Sequence, residues 1–307
     1  MTQIRTFDEL ERNVKDKRLA RIAIVGGADD AVLETAAQAI EKNLISKAVL
    51  TGIEDEIVNY LKKYNINKDQ FEIRNADNDV EAALIAVKAV RNGEADILMK
   101  GKVESKPFFK QVLDSQTGIK ASEVLSNISV FEMDSYHKLI GVTDNAIIPN
   151  PTLENKIAII NNTRPLYNAL GISNIKVAAV AAADKVTKAM QATIDASELK
   201  KLSDLNKITG FIIDGPFGYD VSISSKAAKK KNFQDSEVAG DPDLLLFHDL
   251  EAANAIGKAL KFHGQAKSGG VVLGATVPIM FNSRSDSMER RLNSLILAMA
   301  IQKGTVA

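Results

Sequence analysis

The chain of 307 residues is long enough for two domains or one large α/β domain, and its 45 % hydrophobic and 25 % charged residues give the ordinary globular balance that can bury a sizeable core. Lys plus Arg equal Asp plus Glu at 39 each, so no net field draws the chain to nucleic acid or to a membrane surface. Cysteine is absent, which excludes disulfides, thiolate metal sites and a Cys nucleophile.

The opening stretch MTQIRTFDELERNVKDKRLA mixes charged with apolar residues and has no continuous apolar core, so neither a secretory signal nor an anchor is expected. No apolar run approaches the roughly 20 residues of a spanning helix. A soluble cytoplasmic protein is the expectation. RIAIVGG (21–27) reads as a strand, and DDAVLETAAQAIEKN (29–43) follows as a helix with Val32, Leu33, Ala36, Ala37 and Ile40 on one face. The alternation continues through KAVLTG, QFEIRNA, the helical DVEAALIAVKAVRNG with its terminal Gly, and ADILMKGKV. Further strands are predicted at NISVFEM, KLIGVTD, IKVAAVAAA, ITGFIIDGP, DLLLFHD and SGGVVLGATVPIMF. These runs are continuously apolar, as parallel strands covered on both faces are, and strand–helix alternation predicts an α/β architecture. About ten strands exceed one modest sheet, which predicts two α/β domains. AIIPNPTLENK (146–156) either connects domains or precedes the helix TLENKIAIINNTRPLYNALG.

Several segments carry candidate chemistry. IVGGADD lacks the three-Gly spacing of a dinucleotide loop, and Asp29 and Asp30 would repel a phosphate, so it reads as a tight strand-to-helix turn. His137, His248 and His263 show no ligand spacing, and no metal site is expected. In LMKGKV, Lys100, Gly101 and Lys102 follow a strand at the sheet edge where α/β proteins bind ligands. Thr143, Asp144, Asn145 and Asn150 follow another strand, where either a ligand or ordinary Asx turns account for them. Lys229, Lys230 and Lys231 lie in a charge run that is either a solvated face or a weak contact for a nucleotide phosphate. The sharpest stretch is FNSRSDSMERRLNSLILAMA (281–300), whose helical period resumes at Met288 with Leu292, Leu295, Ile296 and Met299 on one face. Asp286 with Glu289 fits a capping box. Arg284 beside a helix N-terminus opposes the helix dipole, unless an anion lies between the guanidinium, the hydroxyls and the open amides.

LMKGKV, TDNAIIPNPT, DGPFGYD, SEVAGDPDLLLFHDLEAANAIGKAL and AKSGGVVLGATVPIMFNSRSDS, in this order and spacing, closely resemble the phosphate acetyl/butyryl transferase family over nearly the whole chain. The resemblance implies an enzyme that moves a short-chain acyl group reversibly between coenzyme A and inorganic phosphate, both substrates, with no permanently bound cofactor. It implies two α/β domains with a cleft between them, isocitrate/isopropylmalate dehydrogenase-like, and a homodimer or larger homo-oligomer. The first domain would comprise residues 1–133 completed by 271–307, and the second 134–270. The family's Ser-Arg pair falls on Ser283 and Arg284. In the acetyl branch a Gly follows that Arg and an aspartate lies seven residues beyond the Ser, whereas here those positions hold Ser285 and Arg290. SRSDS looks like the butyryl branch, with Asp286 the nearest carboxylate able to serve as base. Catalytic roles are thus expected for Ser283, Arg284 and Asp286, and substrate contacts for Lys100, Lys102, Asp144, Asn145 and Ser285. Acetyl transfer is the alternative within the family. Outside it stands an NAD- and metal-dependent dehydrogenase of similar fold, for which the chain shows neither acidic cluster nor dinucleotide loop.

Overall fold

The computed structural model describes residues 2–15 and 19–304. The chain divides into two compact units, a first of Phe7–Ser122 with Gly269–Ala307 and a second of Met1–Thr6 with Glu123–Ser268. The first unit opens with α1 (Phe7–Lys15), which buries Phe7, Leu10 and Val14 at helical spacing. It continues through β1 (Ala20–Val25), α2 (Asp30–Glu41), β2 (Ile45–Gly52), α3 (Glu54–Lys63), β3 (Phe71–Asn75), α4 (Asp79–Arg91), β4 (Ile97–Lys100) and α5 (Ser105–Val112). The short polar loops carry the stop and start signals: Asn78 accepts from Glu81 N at 3.0 Å to cap α4, and Asp29 from Val32 N at 3.1 Å to cap α2.

The second unit runs through β5 (Ser126–Met133), β6 (Tyr136–Thr143), α6 (Leu153–Ala169), β7 (Ile175–Val180), α7 (Gln191–Asp204), β8 (Phe211–Phe217), α8 (Tyr219–Ile223), α9 (Ser225–Lys230), β9 (Leu244–Leu246) and α10 (Leu250–Phe262). Its strands β6, β9, β7 and β8 pair in parallel in that order. β5 pairs antiparallel to β6, because only Asp134 and Ser135 join them and so short a connection permits nothing but a hairpin. The boundary read at residues 133/134 from the sequence would cut this hairpin. The segment 146–156 lies wholly within this unit and leads into α6, whose Thr152 and Asn155 form a reciprocal capping box.

The chain then completes the first unit with β10 (Lys267–Leu273), β11 (Ile279–Met280) and α11 (Met288–Gly304). The stretch expected as one strand, SGGVVLGATVPIMF, is two: Gly274 takes φ +92° and β11 returns antiparallel to β10. β11 also pairs in parallel with β4, Met280 beside Met99, giving the order β3-β2-β1-β4-β11-β10. From Arg291 to Ile301 every residue of α11 is buried, so the single apolar face read from its period understates its position. The buried face of α2 is Val32, Leu33, Thr35, Ala36 and Ala39, so Ala37 and Ile40 are only half-buried, and Thr35 satisfies its hydroxyl on Ala31 O at 2.5 Å and meets Met288 Sδ of α11 at 3.6 Å.

Candidate functional site

Three parallel strands of the first unit, β1, β4 and β11, end side by side. β1 and β4 leave the sheet in backbone contact: Gly101 N donates to Val25 O at 2.8 Å and Lys102 N to Gly26 O at 2.9 Å. A Cβ on Gly101 would stand 2.4 Å from Gly26 O, so only glycine permits the approach. IVGGADD is thus a strand-to-helix turn that leans on the end of β4.

Lys100 closes β4 half-buried, with its ammonium 5.7 Å from the centre of the Phe281 ring that follows β11. Burial, and after it the positive charge of Arg284, hold its pKa below the ordinary lysine value, against the smaller pull of Asp79 and Asp29. Lys100 and Arg284 therefore share one electrostatic neighbourhood at the end of adjacent strands. Lys102 is exposed and reaches instead over the Tyr60 ring of α3 at 6.0 Å.

Between β11 and α11 the chain makes a turn tied at both ends. Ser283 N donates to Asp286 Oδ2 at 3.0 Å, and Asp286 N to Ser283 O at 3.1 Å. The hydroxyls of Ser283 and Ser285 lie 3.0 Å apart. Asn282 Nδ2 bonds Ser294 Oγ at 3.0 Å and Asp286 Oδ2 at 3.4 Å, which fixes the turn to α11. The cap of α11 is not Asp286 with Glu289, as the spacing predicted: Ser287 Oγ receives Arg290 N at 3.4 Å, and Asp286 bends the turn. Ser283, Arg284 and Ser285 are exposed. Neither the guanidinium nor the amide of Arg284 has a hydrogen-bond partner among the described residues, so the turn presents a cation, an amide and two hydroxyls outward. Cations, backbone amides and hydroxyls of this kind are the donors to which oxyanions bind in proteins generally. Arg290, seven residues beyond Ser283, puts a guanidinium at the position where the acetyl branch has an aspartate.

The second unit treats its candidates differently. Asp144 is 2 % and Asn145 7 % exposed, too little for either to meet a ligand broadly. Asp144 receives the amides of Ala146, Ile147 and Ile148 at 3.0, 3.1 and 3.0 Å and that of Asn127 at 3.2 Å. Burial raises its pKa, with those four amides opposing. Asn145 Nδ2 donates to Ser129 Oγ at 2.9 Å, and Asn254 Nδ2 to Asn145 O at 2.9 Å. Lys229 and Lys230 are exposed in the last turn of α9, while Lys231 takes the carboxylates, Asp184 at 2.9 Å and Asp220 at 3.1 Å.

One cluster had no signature in the sequence. Lys156 Nζ lies 2.5 Å from Asp195 Oδ2 and 2.9 Å from His248 Nδ1, residues 39 and 92 positions away along the chain. Burial and then the Lys156 charge depress the His248 pKa, favouring the neutral ring with its proton on Nε2. His248 borders a cavity of about 880 Å³ lined by Ala181, Met190, Tyr219 and Phe247. Among the described residues no group of three or more His, Asp or Glu could hold a metal ion, and no helix is long and apolar enough to cross a membrane.

The first unit is an α/β sheet with a Ser-Arg turn and a lysine at the ends of adjacent strands, and comparison with known proteins specifies the class. The family model described as phosphate acetyl/butaryl transferase matches residues 75–299. The chain belongs to that family. It is 37 % identical over 298 residues to a phosphate butyryltransferase of Clostridium acetobutylicum, covering 97 % of this chain and 98 % of the relative. A phosphate acetyltransferase of Thermotoga maritima is 35 % identical, with 91 % and 94 % covered. Among solved structures, a branched-chain phosphotransacylase from Enterococcus faecalis V583 superposes with TM-score 0.82 at 25 % identity, covering 92 % of this chain and 99 % of that one. A phosphotransacetylase from Streptococcus pyogenes, at 21 % identity and TM-score 0.80, shares the fold.

Proposed function

We propose that the protein is an acyltransferase that moves a short-chain acyl group, butyryl foremost, from coenzyme A to inorganic phosphate, reversibly and through a ternary complex. The observation that carries this reading is the exposed Ser283–Arg284 turn, with its unpartnered guanidinium and amide beside Lys100. Butyryl is preferred to acetyl because relatives at 37 % and 36 % identity are butyryltransferases and because the turn reads SRSDS.

Phosphate is itself a nucleophile, so no covalent enzyme intermediate is required. A phosphate oxygen attacks the thioester carbonyl, the new C–O bond forms, the C–S bond breaks, and the phosphate proton passes to the departing thiolate. Arg284 and Ser283 hold the phosphate in line with the carbonyl, which removes much of the entropic barrier. Lys100 and the Arg284 amide add positive potential where charge develops. Asp286 relays the transferred proton: in the reverse direction it accepts the thiol proton of coenzyme A and passes it to the departing phosphate. Ser285 holds the Ser283 hydroxyl at 3.0 Å, and Lys102 adds charge at the rim. Asp144 and Asn145 act through the loop they shape, and Lys229 and Lys230 are weak contacts for the coenzyme A phosphates. The isocitrate/isopropylmalate dehydrogenase-like architecture, a homodimer or larger assembly, a cytoplasmic location and the absence of a resident cofactor belong to the same proposal. The family resemblance supports them.

The test is thiol release from acetyl-, propionyl-, butyryl- and branched acyl-CoA with and without phosphate. Phosphate-dependent release with the highest kcat/KM for butyryl-CoA is expected. Release that ignores phosphate would exclude the reaction, and a preference for acetyl-CoA would move the protein to the acetyl branch.

A further inference from the structure

Behind the turn lies an arginine that none of the roles above uses. Arg291, fourth residue of α11, is only 6 % exposed. Among the described residues no carboxylate pairs with it. Its Nη2 donates to Ser283 O at 3.2 Å, and its Nε is buried with no hydrogen-bond partner. An arginine buried without a counter-charge is costly for the fold, and capping one carbonyl would not require it. That carbonyl is already met by Asp286 N at 3.1 Å.

The geometry of one peptide shows what the arginine does. Ser283 O and the Arg284 N–H belong to the same trans peptide unit and point in opposite directions. A guanidinium that draws Ser283 O toward the helix therefore turns the Arg284 N–H away from it, to the exposed side on which the Ser283 and Ser285 hydroxyls lie. The same guanidinium places a buried positive charge behind that amide.

We propose that Arg291 is a positioning residue of the phosphate clamp, which fixes the 283–284 peptide so that the Arg284 amide donates to the bound phosphate and whose buried charge strengthens that donor. The inference rests on the acyl-transfer reading of the turn and deepens it. Of the two arginines in the run MERRL at the start of α11, it is Arg291 that faces inward to the turn.

The experiment compares R291Q, R291K and R284A with wild type in KM for phosphate, KM for butyryl-CoA, kcat and Tm, and in the rise of Tm on adding inorganic phosphate. For R291Q we expect KM for phosphate to rise about tenfold, the scale of one charge-assisted hydrogen bond, with KM for butyryl-CoA unchanged within about twofold. The phosphate-induced rise of Tm should shrink in parallel, since it reports binding directly. R291K keeps the charge and one donor but not the planar fork, so it should fall between the two, with about a threefold rise in the phosphate KM. A wild-type KM for phosphate in R291Q, or a rise of both KM values in step with a falling Tm, overturns the proposal. Should R291Q fail to fold, R291K decides: about a threefold rise confined to the phosphate KM supports the role, and a wild-type value removes it. R284A separates the two levels, because full turnover in that variant would overturn the acyl-transfer reading whatever Arg291 does.

Discussion

The turns that follow β6 and β11 look alike in the sequence, since each puts a cluster of Asp, Asn, Ser or Thr just past the carboxyl end of a parallel strand. In three dimensions they are opposites. After β6 the carboxylate of Asp144 faces inward and gathers four backbone amides, and Asn145 is held by Ser129 and Asn254. After β11 the turn closes on itself through Asp286, and Ser283, Arg284 and Ser285 remain outside. A polar group whose hydrogen bonds are filled by the fold determines shape. One whose hydrogen bonds are open determines what binds.

The largest effect that can break this contrast is at Arg284. Replacing it by Lys keeps the charge but loses the planar fork, and kcat/KM for phosphate should fall by about 10²–10³-fold, as when a preorganised anion donor is removed. Tm should hardly move, because exposed substitutions away from structural features change stability by about 0.5 kcal/mol or less. Near-normal turnover in Arg284→Lys would show that the fork is not the device.

Asp144→Ala should give the reverse pattern. Four amides, from Asn127, Ala146, Ile147 and Ile148, lose their acceptor in a buried setting. The expected cost is on the order of 3 kcal/mol, visible as a lower midpoint in thermal or urea unfolding. Wild-type stability with lost turnover would move Asp144 from the fold to direct contact with substrate.

Much of the architecture was legible because buried parallel strands are written as short apolar runs. The break between β10 and β11 was not, since both arms are equally apolar and the short turn 274–278 between them, opened by Gly274 at φ +92°, reads as part of the same run. Arg284 was legible because a cation at a helix start contradicts the helix dipole. Arg291 was not: in the pair Arg290–Arg291 neither residue differs in type from a solvated surface arginine, and only 6 % exposure distinguishes the second. The Lys156–Asp195–His248 cluster had no local spacing to read, because its members lie on α6, on α7 and just beyond β9. Pattern reports which groups are apolar together. It does not report which polar groups the fold leaves unfilled.

The smallest effect concerns Lys100, which stands between the two extremes: half-buried, yet without a carboxylate partner among the described residues. Burial and Arg284 both favour its neutral form, so its pKa is held below the ordinary lysine value and its proton leaves earlier on raising the pH than that of an exposed lysine. A clamp that depends on the ammonium should therefore lose phosphate affinity on an alkaline limb that begins below the ordinary lysine range. Arginine does not deprotonate in this range. Lys100→Arg should accordingly show KM for phosphate near the wild-type value at neutral pH, within about threefold for the altered geometry, and a limb displaced to higher pH. If the limb stays where it is in the wild type, another group titrates there and Lys100 contributes no charge to phosphate binding. If the limb moves while KM for acyl-CoA keeps its wild-type pH profile, Lys100 belongs with Arg284 among the groups left open for the anion.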